Sequence, residues 1–143
     1  MREPLGYAAA IVLAGIGAVH LFWALGGRLG MGALTPDIAG QPAFKPTRAG
    51  AALVAVLCAV GSVLVFARIG ALPIPLPRPL LNGAAWLMAA IFALRAAGDF
   101  RYAGFFKYIR HTRFAFWDTW VYSPLCLFMA LACAAAALSP AGP

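Results

Sequence analysis

Residues 5–26 read LGYAAAIVLAGIGAVHLFWALG and carry no charged side chain over 22 positions. A helix rises about 1.5 Å per residue, so this run would extend about 33 Å and cross a hydrocarbon core of about 30 Å. The run is longer than the apolar part of a secretory signal peptide, and no small-x-small cleavage pattern follows it. We therefore expect residues 5–26 to be retained as the first membrane-spanning helix.

Three further apolar runs of similar length follow the first. They lie at residues 49–70, 80–100 and 119–138. Arg68 stands near the end of the second run, where its long side chain can reach the membrane interface. Backbone polar groups in a bilayer must bond within their own segment, and no run alternates with the period of two that a barrel strand shows. The sequence predicts an all-α, four-helix transmembrane bundle that forms a single domain over residues 1–143.

The composition supports this fold class and excludes several functions. Hydrophobic residues make up 64% of the chain, charged residues make up 10%, and the mean hydropathy is +0.87, which is outside the soluble range. The net charge is +7, but the basic residues fall mostly between or at the ends of apolar runs, so we expect no nucleic-acid partner. Cys58, Cys126 and Cys133 lie inside apolar runs without a C-x-x-C pair, which indicates small core residues.

The distribution of basic residues between the loops predicts the orientation of the chain. Loop one joins the first and second apolar runs, and loop three joins the third and fourth. Together these two loops hold seven Lys and Arg, whereas the amino terminus and the connection between the second and third runs hold three. The seven are Arg28, Lys45, Arg48, Arg101, Lys107, Arg110 and Arg113, and the three are Arg2, Arg68 and Arg78. Because cytoplasmic loops carry the excess of positive charge, we expect a multi-pass protein of the cell (inner) membrane with loops one and three in the cytoplasm and both termini outside.

Polar side chains gather at the end of the predicted bundle that carries loops one and three. His20, near the end of helix one, shares this leaflet with Ser123 and Cys126 at the start of helix four. In helix three, Arg95 and Asp99 are spaced i,i+4, so they share a face and are expected to pair. One interpretation is a fixed cationic pocket for an anionic or polar ligand. The other is an ion pair that locks helix three to its neighbours.

His20, with Trp23 on the next turn, has three interpretations. It is a hydrogen-bonded interior histidine, a side chain that lines a ligand site, or a haem ligand. Bis-histidine haem ligation would require His111, which stands in loop three, to fold into the membrane. The sequence has no H-x-x-x-H, H-E-x-x-H or carboxylate cluster, so we expect no metal cage and no cofactor other than haem through His20.

Loop three carries a mixed aromatic and basic segment, FRYAGFFKYIRHTRFAFWDTWVY, at residues 100–122. One helical stripe in it comprises Tyr102, Phe105, Phe106 and Ile109. Arg101 and Lys107 lie off that stripe, a pattern that predicts an interfacial amphipathic helix with its cations near anionic lipid head groups. Asp118 precedes the fourth apolar run and is expected to cap helix four.

Three phrases of the sequence are similar to those of a known family. They are HLFWALGG at 20–27, LRAAGDFRYAGFFK at 94–107 and SPLCL at 123–127. They resemble small bacterial four-span membrane proteins that carry only a domain-of-unknown-function label. The resemblance covers most of the chain and implies the four-span architecture and a shared site, without naming its chemistry. It points to His20, Trp23, Gly26, Gly27, Arg95, Gly98, Asp99, Phe100, Arg101, Gly104, Lys107, Ser123, Pro124 and Cys126.

Three function classes remain open from the sequence. The first is a non-catalytic membrane protein that binds a lipid or small ligand, or that serves as an accessory subunit of a larger membrane complex. The predicted binding residues are His20, Trp23, Arg95, Asp99, Arg101, Lys107, Ser123 and Cys126.

The other two classes are an enzyme and a transporter. The enzyme would act on a lipid or isoprenoid-like substrate, with His20 as general acid or base. Arg95 and Arg101 would clamp an anion in that enzyme. Asp99 would orient one of the two arginines. The transporter would carry an anionic solute and would require a dimer, that is, a homo-oligomer of this chain, because four spans without an inverted repeat make a poor monomeric transporter.

Overall fold

Four long helices form most of the structure. The computed structural model describes residues 2–30, 37–38, 41–42 and 46–139. Within those residues the helices are α1 (Arg2–Ala24), α2 (Arg48–Arg68), α3 (Arg78–Ala97) and α4 (Arg113–Ala137). Two short antiparallel strands, β1 (Asp37–Ile38) and β2 (Gln41–Pro42), lie in loop one. Each of the four helices includes a stretch long and apolar enough to cross a membrane, which confirms the predicted all-α transmembrane bundle.

The start of α4 differs from the sequence prediction. The helix begins at Arg113 rather than near residue 119, and Thr112 caps it by accepting a hydrogen bond from the backbone N–H of Ala115 at 3.0 Å. Threonine at this position satisfies one of the free N–H groups of the first turn. The predicted capping role of Asp118 is therefore wrong, because this residue lies inside the helix.

The helices follow one another around the bundle, with α1 packed on α2 and α4, and α3 packed on α2 and α4. Small and apolar side chains fill the core, where Leu13, Val65 and Met129 are almost completely buried. Ser62 of α2 is also buried and donates a hydrogen bond to the Ala10 carbonyl oxygen at 2.8 Å. Cys133 is buried in the same core, as expected of a small apolar side chain.

The end of the bundle opposite loops one and three is closed by Arg68. Its Nη2 donates to the carbonyl oxygens of Ala137 and Ser139, both at 2.8 Å, and its Nε donates to Asn82 Oδ1 at 3.3 Å. The last carbonyls of a helix have no intrahelical partner and carry partial negative charge. Arg68 therefore binds the end of α4. That its side chain reaches the membrane interface stays a prediction.

Residues 98–112, here called the α3–α4 loop, contain no helix, so the helical form predicted for the interfacial segment is wrong. Gly98 and Gly104 have φ values of 94° and 88°, and Phe100 has a φ of 62°. A right-handed helix cannot pass through residues in the left-handed region. The stripe spacing alone could not reveal these turns, because it reports side-chain polarity and not backbone conformation.

Candidate functional site

Asp118 lies at the centre of a buried polar cluster beneath the α3–α4 loop. Its side chain is completely buried, and Oδ1 accepts from Arg95 Nη2 at 2.7 Å. Oδ2 accepts from Lys107 Nζ at 2.9 Å, the Gly104 N–H at 2.7 Å and Ser123 Oγ at 3.1 Å. We call these five residues the Asp118 network. A buried carboxylate requires such compensation, because its transfer from water costs several kcal/mol.

A π-helical turn at Asp118–Tyr122 brings the two α4 members of the network together. In this turn the N–H of Ser123 bonds to the Asp118 carbonyl oxygen, five residues earlier. In a regular α-helix, residues five apart are about 140° apart around the axis, given 3.6 residues per turn. The wider turn places them on one face, and the Ser123 hydroxyl thereby reaches the Asp118 carboxylate.

The α3–α4 loop supplies the other side of the network. Lys107 is only 2% exposed, and its Nζ also donates to the Gly104 carbonyl oxygen at 3.0 Å. Gly104 and Gly98 let the backbone fold back on itself, because a Cβ on Gly104 would overlap the Ala97 carbonyl and a Cβ on Gly98 would overlap the Ala103 carbonyl. The loop is thereby fixed against the end of α3.

Asp99 does not pair with Arg95, so the predicted i,i+4 ion pair is wrong. The helix ends at Ala97, and the chain turns at Gly98, which removes the shared helix face. Asp99 Oδ1 instead accepts from the backbone N–H groups that follow it, at 2.7 to 2.9 Å. The donors are Arg101, Tyr102 and Ala103.

These hydrogen bonds set the acidity of Asp99. Partial burial disfavours its charged form, but the bonds from the three backbone N–H groups outweigh burial and hold the pKa of Asp99 below its ordinary value. Hydrogen bonds to an ionised carboxylate favour that form. Asp99 therefore orders the loop as an anion, at a place separate from the Asp118 network.

A cleft of about 570 Å³ opens beside the Asp118 network, between α1, α3 and α4. Its lining consists of Val12, Gly15, Ile16, Val19, His20, Trp23, Phe92, Arg95, Phe114, Tyr122, Leu125 and Cys126. The α1 residues of the lining recur at intervals of three and four, as expected for one face of a helix. From Val12 to Trp23 this face is about 16 Å long, since a helix rises about 1.5 Å per residue. Most of the wall is apolar or aromatic.

Arg95 and His20 stand at the end of the cleft nearest loops one and three. Arg95 keeps 37% of its side chain exposed despite its ion pair, and its Nη1 has no hydrogen-bond partner in the part of the chain that the structure describes. His20 Nδ1 is 2.8 Å from the Ile16 carbonyl oxygen. Because a carbonyl only accepts, Nδ1 must carry the proton, and Nε2 is left for other contacts.

Trp23 completes this end of the cleft. Its ring meets that of His20 edge to face, with centroids 4.9 Å apart and an angle of 72°. Its Nε1 donates to the Leu29 carbonyl oxygen at 2.9 Å, so the same side chain holds the start of loop one. A buried or half-buried indole normally finds such a partner for its N–H group.

The eight residues predicted to bind a ligand separate into three places. Four of them line the cleft: His20, Trp23, Arg95 and Cys126. Ser123 and Lys107 belong to the Asp118 network, which they share with Arg95. Asp99 and Arg101 lie on the exposed part of the loop, where the Arg101 guanidinium stands 5.1 Å from the Tyr102 ring centre. In the enzyme hypothesis Asp99 would orient one of the two arginines. The carboxylate that contacts Arg95 is instead that of Asp118.

Sequence reasoning missed Asp118 as the centre of the network, and it missed Phe92 and Tyr122 as lining residues. A usable signal was present for Asp118, since it stands between Trp117 and Thr119 in a largely apolar stretch and an acid there requires a cation. No comparable signal marks the two aromatic residues, because any aromatic side chain in a span fits lipid equally well.

The arrangement combines an apolar groove with an excess of positive charge at one end. In the Asp118 network two cations, Arg95 and Lys107, face one carboxylate. Among the described residues, no group of three or more His, Cys, Asp and Glu side chains could hold a metal ion. His111, the second histidine, lies exposed on the α3–α4 loop. The chemistry on offer is therefore apolar contact, hydrogen bonding and attraction of an anion.

Comparisons with known proteins identify a family for the chain but no function. Neither the curated proteins nor the solved structures contain a match. The model of one family, described as a protein of unknown function (DUF3995), matches residues 13–133. This range contains the whole Asp118 network. It also contains every residue that lines the cleft except Val12. The chain is a multi-pass membrane helical bundle that belongs to the DUF3995 family of unknown function.

Proposed function

We propose that the protein is a non-catalytic binding protein, which takes an apolar small molecule from the bilayer into the cleft between α1, α3 and α4. The observation that carries this proposal is the cleft itself. Its volume of about 570 Å³ lies within the range of about 300–1,000 Å³ that is typical of small-molecule sites. Mostly apolar walls with a few polar groups at one end are also typical of such sites.

The packing around the cleft supports binding rather than catalysis. His20 Nδ1 bonds to a main-chain carbonyl oxygen, and the Asp118 carboxylate accepts hydrogen bonds from its own network. A catalytic pair would place a nucleophile and a base within hydrogen-bond reach of each other. The hydroxyl of Ser123 does lie 3.1 Å from Asp118 Oδ2, but both residues are completely buried in the Asp118 network and neither lines the cleft. The cleft therefore offers shape and charge for holding a ligand.

Gly15 provides a direct way to test the proposal. It lines the cleft, and a Cβ built on it meets no atom within 4 Å, so a large side chain there should fill the cleft without disturbing the backbone. Gly83 of α3 also meets no atom within 4 Å but does not line the cleft. The variants Gly15→Phe and Gly83→Phe therefore add the same side chain inside and outside the proposed site.

The measurement is the fluorescence of Nile red, a neutral apolar dye, titrated with protein purified in detergent. We expect saturable binding by the wild type and by Gly83→Phe, and affinity at least about tenfold weaker for Gly15→Phe, which corresponds to about 1.4 kcal/mol. Binding by Gly15→Phe at the wild-type level, or no saturable binding by the wild type, would contradict the proposed function.

We also propose that the cleft end of the bundle faces the cytoplasm of a bacterial inner membrane. Loops one and three hold seven basic residues, whereas the other side of the membrane holds three. Cytoplasmic loops normally carry this excess, which supports the orientation. Exposed cations of the α3–α4 loop, such as Arg101 and Arg110, would then lie near anionic lipid head groups. Alkaline phosphatase fused after Ser139 should be active and a fluorescent protein fused there should be dark. The opposite pair of results would reverse the orientation.

A further inference from the structure

We infer that the cleft takes a single-chain amphiphile whose head group is an oxyanion, held at the end formed by Arg95 and His20. This inference rests on the proposed function and specifies the ligand class of the same site. It is argued from the charge balance of the Asp118 network, from the unused hydrogen-bond donors at the cleft, and from the size of the cleft.

The charge balance of the Asp118 network favours an anion. Arg95 and Lys107 both contact Asp118, so the network carries one more positive than negative charge. Asp99, the other acid whose side chain the structure describes, binds backbone N–H groups instead. Charges within a membrane protein normally have a partner of opposite sign, because an uncompensated one is costly in low dielectric. An anionic head group at Arg95 would balance the charge.

Arg95 has donors to spare for such a head group. A guanidinium carries five N–H donors in a planar fork that suits carboxylate and phosphate. Of these, Nη2 is engaged by Asp118, and Nη1 is buried without a partner among the described residues, a costly state that a bound acceptor would relieve. The ion pair with Asp118 fixes the orientation of the guanidinium. Arg95 lines the cleft with 37% of its side chain exposed, so a head group there would meet an ordered cation.

His20 stands beside the same end of the cleft with a defined tautomer. The Ile16 carbonyl engages Nδ1, and Nε2 is the ring nitrogen available to a ligand. When the ring is protonated, Nε2 donates to an anion, and when it is neutral, Nε2 accepts from a hydroxyl. Arg95 provides the charge in either state, and His20 adds a second contact that fixes the position of the head group.

The size and shape of the cleft favour one chain. The wall from Val12 to Trp23 forms a groove of about 16 Å along α1, and His20 lies at the same end of that groove as Trp23. A single chain aligned with α1 would place its head group at His20 and Arg95 and its tail toward Val12. A diacyl lipid has two chains, for which a cleft of about 570 Å³ is too small to enclose the whole molecule.

The test compares ligands that share one chain and differ in head group. Palmitate, hexadecyl phosphate, hexadecanol and hexadecylamine compete with Nile red for the wild-type protein in detergent, at a pH where both acids are ionised. We expect at least one of the two anions to displace the dye at a concentration about tenfold or more below that of hexadecanol, with the amine weakest. Tighter binding of palmitate would identify the head group of the ligand as a free carboxylate. Tighter binding of hexadecyl phosphate would identify it as a lipid phosphate.

Variants assign the preference to Arg95. Arg95→Gln should bring the anions to the level of hexadecanol while hexadecanol binding changes by less than about threefold, and Arg95→Lys should restore part of the preference. Arg101→Gln removes an exposed cation of the α3–α4 loop and should leave the preference unchanged. Should Arg95→Gln fail to fold, His20→Gln replaces it, with an expected loss of about three- to tenfold in anion binding.

The possible failures are distinguishable. Equal displacement by palmitate, hexadecyl phosphate and hexadecanol would overturn the oxyanion inference and leave binding in the cleft intact. Displacement by phosphatidylglycerol vesicles as effective as that by the single-chain anions would overturn the single-chain inference. Failure of the Gly15→Phe comparison would instead contradict the proposed function itself.

Discussion

Arg68 and Arg95 stand near the C-terminal ends of α2 and α3, at opposite ends of the bundle, and both turn inward. Arg68 binds carbonyl oxygens at the end of α4 and the side chain of Asn82. Arg95 binds the carboxylate of Asp118 and borders an open cleft. The same residue type therefore closes a helix terminus in one place and forms one wall of a candidate site in the other. The carboxylate partner and the adjoining cleft mark the setting of Arg95.

We expect the largest loss of stability when the negative charge of Asp118, at the centre of its network, is removed. Asp118→Asn leaves Arg95 and Lys107 without their counter-ion, and breaking a buried ion pair in this way costs about 3–5 kcal/mol of unfolding free energy. Thermal unfolding in detergent, followed by tryptophan fluorescence, would measure it. Ser123→Ala is the matched control, since it removes one hydrogen bond to the same carboxylate and should cost about 1 kcal/mol. Equal losses would show that Asp118 does not carry the network.

The second prediction concerns the α3–α4 loop, which covers the Asp118 network. Gly104→Ala places a Cβ on a residue with a φ of 88° and against the Ala97 carbonyl, so we expect a loss of about 2–3 kcal/mol, near the top of the range for a strained residue. Gly83→Ala, at an open helical position, should instead be neutral or stabilise by up to about 1 kcal/mol. Similar melting temperatures for the two variants would contradict the described loop geometry.

The third prediction separates stability from binding at the two ends. Arg68→Gln loses hydrogen bonds to the end of α4 and should lower the unfolding free energy by about 1–2 kcal/mol. It should leave the head-group preference in the Nile red competition unchanged, whereas Arg95→Gln should abolish that preference. A change of preference in Arg68→Gln would mean that the two ends are coupled through the bundle.

The smallest expected effect is a dependence on pH that arises in the loop. The pKa of Asp99 is lower in the folded protein than its ordinary value of 3.8. Its contribution to stability is therefore fully present above the unfolded-state pKa and is lost as pH falls through the folded-state pKa. The melting temperature of the wild type should exceed that of Asp99→Asn near neutral pH, and the difference should shrink below about pH 4. A difference that grows on acidification would contradict the assigned contacts.

Much of the fold could be predicted from the sequence, because uncharged runs longer than the membrane is thick leave few alternatives. The gathering of His20, Arg95 and Cys126 at one end followed from the direction of each helix alone. The partner of Arg95 could not be predicted in this way. It depends on α3 ending at Gly98 and on the loop folding back over Asp118, and hydropathy reports neither event.

Lys107 and Asp118 illustrate the same limit. Lys107 stands in a loop rich in aromatic and basic residues, where the pattern indicates an interfacial cation, and yet it is buried. Asp118 precedes an apolar run, where the pattern indicates a cap, and yet the helix begins five residues earlier at Arg113. Both positions are set by contacts between segments that are distant along the chain, so local patterns carry little information about them.

The π-helical turn at Asp118–Tyr122 makes the site depend on the number of residues in α4 as well as on their identity. Deleting one residue between Asp118 and Ser123 would let the helix return to regular geometry. Asp118 would then rotate by about 100° around the helix axis relative to the residues that follow. Its carboxylate would leave the face that meets Lys107, although no contacting side chain had been replaced. When sequences of this family are aligned, a one-residue gap in this turn should be regarded as a change of site.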